Sequence, residues 1–192
     1  MAKDLFRTPL AEVRWAHLIE ARHQLDKAKP KAWTCDLLLP NNDQQAQAFL
    51  LAMEDQFTSL HGSRKRRAEK GFPCKPDKEK PNELTMVRFK IPQFQRKDGT
   101  FSEGPRIVDA KRQPWNGAAI GNGSKVIIAF DIYDWDGENG CGMTFQPQAV
   151  QVVDFVPYEQ VDPTAGFDEQ EGYSVSSQSQ GQGLDWLDEV AF

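Results

Sequence analysis

The chain has few of the features that would assign it to a specialised class. Its 192 residues include three cysteines, which are far apart and form no Cys-x-x-Cys pair. An odd number of separated cysteines is typical of reduced thiols in a cytoplasmic protein. No apolar run approaches the about 18 residues of a membrane span. The first residues, Met-Ala-Lys-Asp-Leu-Phe-Arg, contain no apolar segment of a secretory signal, so we expect neither.

No pattern typical of an enzyme or a metal site is present. The histidines His17, His23 and His61 lack metal-ligand spacing with any cysteine. The carboxylates of residues 131–138 do not match the EF-hand spacing and lie where a solvated turn is expected. The glycines beside Asn122 lack the Lys-Ser/Thr of a P-loop, and they favour a tight turn or a close approach of backbones. We therefore expect no catalytic residue, no metal and no cofactor.

Basic residues are missing from the end of the chain. Residues 158–192 hold eight of the 28 acidic residues and no Lys or Arg. Residues 1–157 therefore carry 23 basic against 20 acidic side chains, a net +3, although the whole chain is at −5. A mildly basic body with an acidic tail suggests that the tail competes with a nucleic acid. A tail that only increases solubility is the alternative.

Short apolar alternations on either side of one helical stripe predict a mainly β domain. Predicted strands are Val13 to Ala21, Trp33 to Leu39, Leu84 to Ile91, Ile107 to Asp109, Ser124 to Trp135 and Met143 to Tyr158. The residues from Asp134 to Gly142 favour positive φ angles and predict the connection of the last hairpin. A helix is expected at about residues 43–61, with its N-cap among residues 41–43. Trp15 and Trp33 are expected to be mainly core.

Several segments combine cations with aromatic rings. Residues 63–82 contain Arg64-Lys-Arg-Arg67, four further lysines and three prolines, which predicts a mobile basic loop. Later clusters surround residues 88–101, 111–115 and 125–135. Single-stranded nucleic acid needs this combination, because cations follow the phosphates while rings stack on the bases. The candidate nucleic-acid-binding residues are Arg88, Lys90, Phe94, Arg96, Lys97, Phe101, Lys111, Arg112, Trp115, Lys125, Tyr133 and Trp135.

The acidic tail ends in a second kind of sequence. Residues 174–183 are rich in Ser, Gln and Gly and predict a flexible linker. The segment Leu184-Asp-Trp-Leu-Asp-Glu-Val-Ala-Phe192 then mixes acids with apolar and aromatic groups. A tail that only solubilises needs no aromatic residue, so we expect this terminus to dock on a basic, apolar-lined pocket. The candidate partner-binding residues are Asp185, Trp186, Asp188, Glu189 and Phe192.

Two stretches carry a family resemblance. Ile120-Gly-Asn-Gly-Ser-Lys-Val126, followed by a strand that ends in Tyr133-Asp-Trp135, resembles the closing hairpin of the replication single-stranded-DNA-binding proteins of short-tailed phages. The acidic terminus with its final aromatic residue is also similar to that family. The resemblance implies a five-stranded OB-fold barrel with one flanking helix over residues 1–157, followed by a disordered acidic tail at 158–192.

The same resemblance implies a function. We expect sequence-independent binding of single-stranded DNA in phage DNA replication and recombination, with a tail that competes with DNA and recruits partners. The implied partners are the replication DNA polymerase and the helicase-primase, and a homodimer in the cytoplasm of the host cell is expected. Two alternatives stay open from the residues. One is a protein-interaction module that acts through its tail, and the other is an RNA-binding OB domain.

Overall fold

The computed structural model describes residues 5–62, 66–158, 164, 166–168 and 170–172. The described elements are, in chain order, β1 (Phe6–Arg7), β2 (Ala11–Arg22), β3 (Ala32–Pro40), α1 (Gln44–His61), β4 (Cys74–Pro76), β5 (Leu84–Pro92), β6 (Arg106–Val108), β7 (Lys125–Gly137) and β8 (Gly140–Asp154). The chain divides into two units, Met1–Glu159 and Gln160–Phe192, and the elements all belong to the first. No helix in the described ranges is long and apolar enough to cross a membrane.

Five strands form a ring in the order β2-β3-β5-β8-β7, and β7 pairs back to β2. Its β5–β8 pairing is parallel, whereas its other pairings are antiparallel. This order is that of an OB fold. Two sides of the ring are short, since β5 meets β8 only at Phe89 and Phe145, and β2 meets β7 at two residue pairs. The predicted mainly β class with one helix is confirmed, and the ring is an irregular barrel.

The core of the ring is a cluster of phenylalanine side chains. The ring centroid of Phe130 lies 4.7 Å from that of Phe145 and 5.2 Å from that of Phe89, and all three are fully buried. Phe49 of α1 meets the edge of Phe130 at 6.1 Å. The helix thus packs on the same cluster that joins the two strands of the short β5–β8 side.

Helix α1 agrees with the sequence-based prediction. Asp43 is the N-cap, and its Oδ1 accepts a hydrogen bond from the Ala46 backbone N–H at 2.7 Å. Gly62, with a φ of 67°, ends the helix and donates its N–H to the Thr58 carbonyl. Residues at helical spacing, Phe49 and Met53 among them, form the buried face.

The last hairpin differs from its prediction. Strand β7 continues to Gly137 and β8 begins at Gly140, so the turn comprises only residues 138 and 139 instead of the whole stretch from Asp134 to Gly142. Trp135 pairs with Gly142, where a Cβ atom would lie only 2.3 Å from the indole ring. The indole therefore packs over this glycine. Local turn propensity predicted a loop here because it could not include this cross-strand contact.

The prediction for Trp15 was wrong. Its side chain is 61% exposed, whereas Trp33 is buried as expected. The pairing of β2 with β3 shifts register between Arg14 and His17, and Trp15 lies inside this bulge. A bulge changes which side of the strand the following residues occupy, so simple alternation fails at this point.

We expect Phe130→Ala to destabilise the fold strongly. Removing the ring leaves a cavity between four other aromatic side chains, which should cost about 3–5 kcal/mol of the free energy of unfolding. Urea unfolding followed by circular dichroism measures this cost. Phe94→Ala is the matched control, because Phe94 is 58% exposed, and it should change stability by less than about 0.5 kcal/mol. Similar costs for the two variants would contradict the assigned core.

Candidate nucleic-acid interface

A groove of about 1040 Å³ lies on the outer face of β2, β3 and β5. The outer positions of β3 alternate with core positions, so that Thr34 and Asp36 line the groove while Cys35 and Leu37 are buried in the core. Four cations reach it, namely Lys29, Lys70, Arg88 and Lys90, and Trp15 and His17 contribute rings. We call this surface the basic groove.

The basic groove continues onto the next two strands of the ring. A second cavity of about 370 Å³ shares Lys70, Arg88 and Lys90 with it and extends to Thr144 on β8. Tyr133 on β7 is the cross-strand partner of Thr144, so its side chain lies on the same face. Trp135 is two residues further along β7 and also shares this face. The ring topology thus places cations beside two aromatic side chains.

Arg88 is held by a carboxylate at the floor of the groove. Its Nε and Nη2 donate to the two carboxylate oxygens of Asp36 at 2.7 and 2.6 Å. The Asp36 side chain is only 4% exposed, whereas that of Arg88 is 57% exposed. The bidentate pair fixes the guanidinium while leaving much of it accessible to a ligand.

Lys90 lies in positively charged surroundings. Its ammonium donates a hydrogen bond to Gln24, and no carboxylate is among the causes that shift its pKa. Burial, then Lys29 and Arg88, lower the pKa of Lys90 from its ordinary value. Burial and Arg22 likewise lower the pKa of His17, which is therefore uncharged near neutral pH. Lys29 and Arg88 thus lie close enough to act on Lys90, although Asp26 pairs with Lys29 at 3.7 Å and Asp36 pairs with Arg88. An anionic ligand would reduce the repulsion that remains.

Residues 66–77 contribute Lys70 to the basic groove and line part of its continuation, and they are anchored to the ring. The guanidinium carbon of Arg67 lies 4.2 Å from the ring centroid of Phe57 and 4.4 Å from that of Phe72. Arg67 also pairs with Glu54 of α1. Gly71 accepts a backbone hydrogen bond from Met143 at 2.8 Å. These contacts position Lys70 at the groove.

The sequence predicted a mobile basic loop at residues 63–82. Residues 63–65, which include Arg64, lie outside the described residues, and the described part makes the contacts above. Its mobility in solution stays a prediction. Trp186, Phe192 and the other candidate residues of the tail also lie outside the described residues.

The predicted binding residues divide into two groups. Arg88 and Lys90 line the basic groove, and Tyr133 and Trp135 lie on its continuation. The first group also includes residues of a small hairpin directly after β5, namely Phe94, Arg96, Lys97 and Phe101. Both phenylalanine rings are more than half exposed. The second group comprises Lys111, Arg112, Trp115 and Lys125.

The second group lies towards the other end of β8. The turn that carries Lys111 accepts hydrogen bonds from Gln151, which is seven residues and roughly 23 Å along the strand from Thr144. Lys125 pairs with Asp154 at 3.5 Å. Trp115 packs its ring edge against Phe155 and donates its indole N–H to the Ala118 carbonyl. These residues form a surface separate from the basic groove.

Five residues at the groove were absent from the predicted site, namely Trp15, His17, Lys29, Lys70 and Lys75. Of the two from β2, Trp15 lies within the bulge and His17 at its end, and no local sequence pattern predicts this bulge. Lys70 and Lys75 belong to the segment recognised as basic, and Lys75 lines the second cavity. Their charge was visible in the sequence, but the pairing of this segment with the ring was not.

The described residues hold no cluster of three or more His, Cys, Asp or Glu side chains that could bind a metal ion. All three cysteines are free thiols. Burial, followed by the charge of Glu54, raises the pKa of the Cys74 thiol to about 12, so this side chain is unreactive near neutral pH.

The strand order and the groove on the outer face of the first three ring strands define an OB-type fold with a basic, aromatic-lined surface. Comparison with solved structures gives the same fold. The single-stranded DNA binding protein gp2.5 encoded by bacteriophage T7 is 20% identical, with a TM-score of 0.61 over 91% of this chain and 100% of the other. The single-stranded DNA-binding protein of bacteriophage Enc34, solved in complex with single-stranded DNA, is 13% identical with a TM-score of 0.60. That match covers 80% of this chain and 88% of the Enc34 chain.

These similarities confirm the fold that the sequence resemblance implied, the fold of phage single-stranded-DNA-binding proteins. No protein-family model matches the sequence, and no curated protein matches it. The likeness is therefore one of structure at low sequence identity.

The crowding of charge in the basic groove predicts how Lys90 titrates. Because Lys29 is one cause of the lowered pKa of Lys90, Lys29→Ala should raise that pKa towards its ordinary value. NMR titration of lysine side chains labelled at Cε measures this shift. Lys97→Ala is the control, and it should leave the titration of Lys90 unchanged. An unchanged Lys90 pKa in Lys29→Ala would contradict the packing of these two cations at one surface.

Proposed function

We propose that this protein binds single-stranded DNA without sequence specificity, along the basic groove and its continuation onto β8 and β7. The observation that carries this proposal is the continuous surface on which Lys70, Arg88 and Lys90 lie beside exposed rings. The similarity in fold to phage proteins that bind single-stranded DNA supports it.

The chemistry of this surface suits a strand with unpaired bases. Lysine and arginine side chains attract phosphates irrespective of sequence, and each neutralised phosphate releases counterions, so that affinity falls as salt rises. Rings such as Tyr133 offer stacking faces, which every base can use. Duplex DNA keeps its bases stacked inside the helix, so it gains the attraction of its phosphates to the cations but no stacking on the protein's rings. We therefore expect a preference for single strands.

Charge removal at each of the two surfaces tests where the strand lies. The variant Lys70→Ala/Lys90→Ala should bind oligo-dT more weakly, and its salt slope should be smaller by roughly one to two units, because up to two phosphate contacts are lost. Lys111→Ala/Arg112→Ala removes the same charge from the separate surface and should have the smaller effect. Fluorescence titration of a labelled oligonucleotide at several salt concentrations measures both.

A larger loss for the Lys111 and Arg112 variant would place the strand on the other surface. Equal binding by both variants and the unmodified protein would refute the assignment of the strand to these cations, whereas no binding of oligo-dT by the unmodified protein would refute the proposed function. Oligo-rU in the same titration tests the RNA-binding alternative, which gains support if its affinity equals that of oligo-dT. Thermal unfolding of both variants checks that the fold is intact.

We extend the proposal to the acidic tail, residues 158–192. Its eight carboxylates are tethered to a body with net positive charge, so that even weak docking on the basic groove would compete with DNA. DNA would then release the tail, whose Trp186 and Phe192 would recruit the replication DNA polymerase and the helicase-primase in phage DNA replication and recombination. The proposed homodimer is tested by light scattering of the full-length chain, where a monomer mass would exclude it.

Removing the tail should therefore tighten DNA binding. A chain that ends at Pro157 should bind oligo-dT more tightly than the full-length protein, most clearly at low salt, where charge is least screened. Removal of Phe192 alone should weaken polymerase recruitment while keeping most of the electrostatic competition. Equal affinities at low salt for the truncated and full-length chains would show that the tail does not compete.

A further inference from the structure

We infer that Trp15 is a base-stacking platform of the basic groove and that Asn122 is the residue that positions it. The inference rests on the proposed binding of single-stranded DNA and adds a binding residue whose sequence pattern had pointed to the core. It starts from the backbone of Trp15, which has a φ of 52°.

A tryptophan in this region of φ is unusual. The left-handed conformation places Cβ close to the following carbonyl oxygen, and residues other than Gly, Asn and Asp seldom adopt it. Such strain persists only where the surrounding structure imposes it, and it is concentrated at functional sites. Burial of the ring does not compensate for it here, because the Trp15 side chain is 61% exposed.

The turn between residues 120 and 124 holds this conformation. The Trp15 backbone N–H donates to Oδ1 of Asn122 at 2.9 Å. Directly after Asn122, the Gly123 N–H donates to the Val13 carbonyl at 3.1 Å, and the Ser124 carbonyl accepts the Val13 N–H at 2.9 Å. Asn122 thus replaces the strand partner that the bulged backbone of Trp15 lacks.

The bulge places the indole at the basic groove. Trp15 lines the same cavity as Lys29, Arg88 and Lys90, so a base on the ring would have its phosphates within the field of these cations. His17, two residues further on, is uncharged near neutral pH and adds a second planar group without adding charge. An exposed indole beside cations can recognise a nucleobase face, which a simple polyanion lacks.

This chemistry separates two ligands of equal charge. Oligo-dT offers phosphates and bases, whereas an abasic oligodeoxynucleotide of the same length offers phosphates alone. The unmodified protein should bind oligo-dT more tightly than the abasic strand. Trp15→Ala should lower affinity for oligo-dT by roughly five- to a hundredfold, while affinity for the abasic strand changes little.

A pair of substitutions separates binding from stability. Trp15→Gly removes the same ring as Trp15→Ala, but glycine adopts a φ of 52° without strain, so the Gly variant should unfold at a higher temperature than the Ala variant. Both should lose the preference for oligo-dT to the same extent. The control is Leu51→Ala, which removes an apolar side chain of similar exposure, 65%, on α1 and should leave the preference unchanged.

Asn122 has a test of its own. Asn122→Ala removes the acceptor for the Trp15 N–H and should reduce the preference for oligo-dT although the indole is still present. Asn122→Asp keeps an acceptor oxygen and should retain the preference for oligo-dT. The preference is expressed as the ratio of the two affinities, because the added negative charge weakens binding of oligo-dT and of the abasic oligonucleotide alike.

The outcomes distinguish this inference from the proposed function. If the unmodified protein does not bind oligo-dT, the proposed function fails. If it binds, but Trp15→Ala keeps the preference or weakens both ligands equally, then Trp15 does not stack on bases, and only the inference is overturned. Loss of the preference in Leu51→Ala would also overturn it, because the effect would then not be specific to the groove.

Discussion

The packing of Phe130 against Phe89 and Phe145 holds the ring together where its hydrogen bonding is sparse. Strands β5 and β8 pair at one residue position, which is the position of Phe89 and Phe145 themselves. The three ring centroids lie within 6 Å of one another, so the packing of these side chains joins β5 and β8 where backbone pairing is limited to one position. Because the basic groove crosses from β5 to β8 at this level, the continuity of the proposed binding surface depends on buried aromatic packing on the opposite side of the sheet.

The Gly-rich turn before β7 has a comparable role for the other side of the groove. Ser124 is fully buried, donates its hydroxyl hydrogen to the Gly121 carbonyl and accepts the Val156 N–H at 3.0 Å. Gly121 has no space for a side chain, because a Cβ atom would lie 2.6 Å from the Pro157 carbonyl oxygen. The turn is thus fastened to the end of β8 while it holds the bulge of β2. One short segment links the last strand of the domain to the edge of the groove.

The sequence predicted those elements whose determinants are local. Helix α1 follows from its cap and its apolar stripe, and the inner face of β7 follows from alternation at Val126, Ile128 and Phe130, all buried. Contacts between distant residues were inaccessible to the same patterns. The exposure of Trp15 was missed because it lies in a bulge whose backbone N–H bonds to a side chain 107 positions away. The hairpin turn was predicted too long because Gly142 packs against the ring of Trp135. The sequence accordingly predicted candidate residues from the cations and rings within each strand. Which of these residues lie on one surface depends on the order of the strands in the ring, which the sequence patterns did not give.

The pairing of Arg88 with Asp36 has a consequence for how firmly this groove can hold a polyanion. The guanidinium already has a fixed counterion that cannot diffuse away, so a phosphate that approaches it competes with a buried carboxylate and displaces few salt ions. Arg88 would therefore orient a strand more than it would retain it, and the lysines around it would supply most of the salt-sensitive attraction. Under the proposed function, a surface built in this way favours rapid exchange of the bound strand.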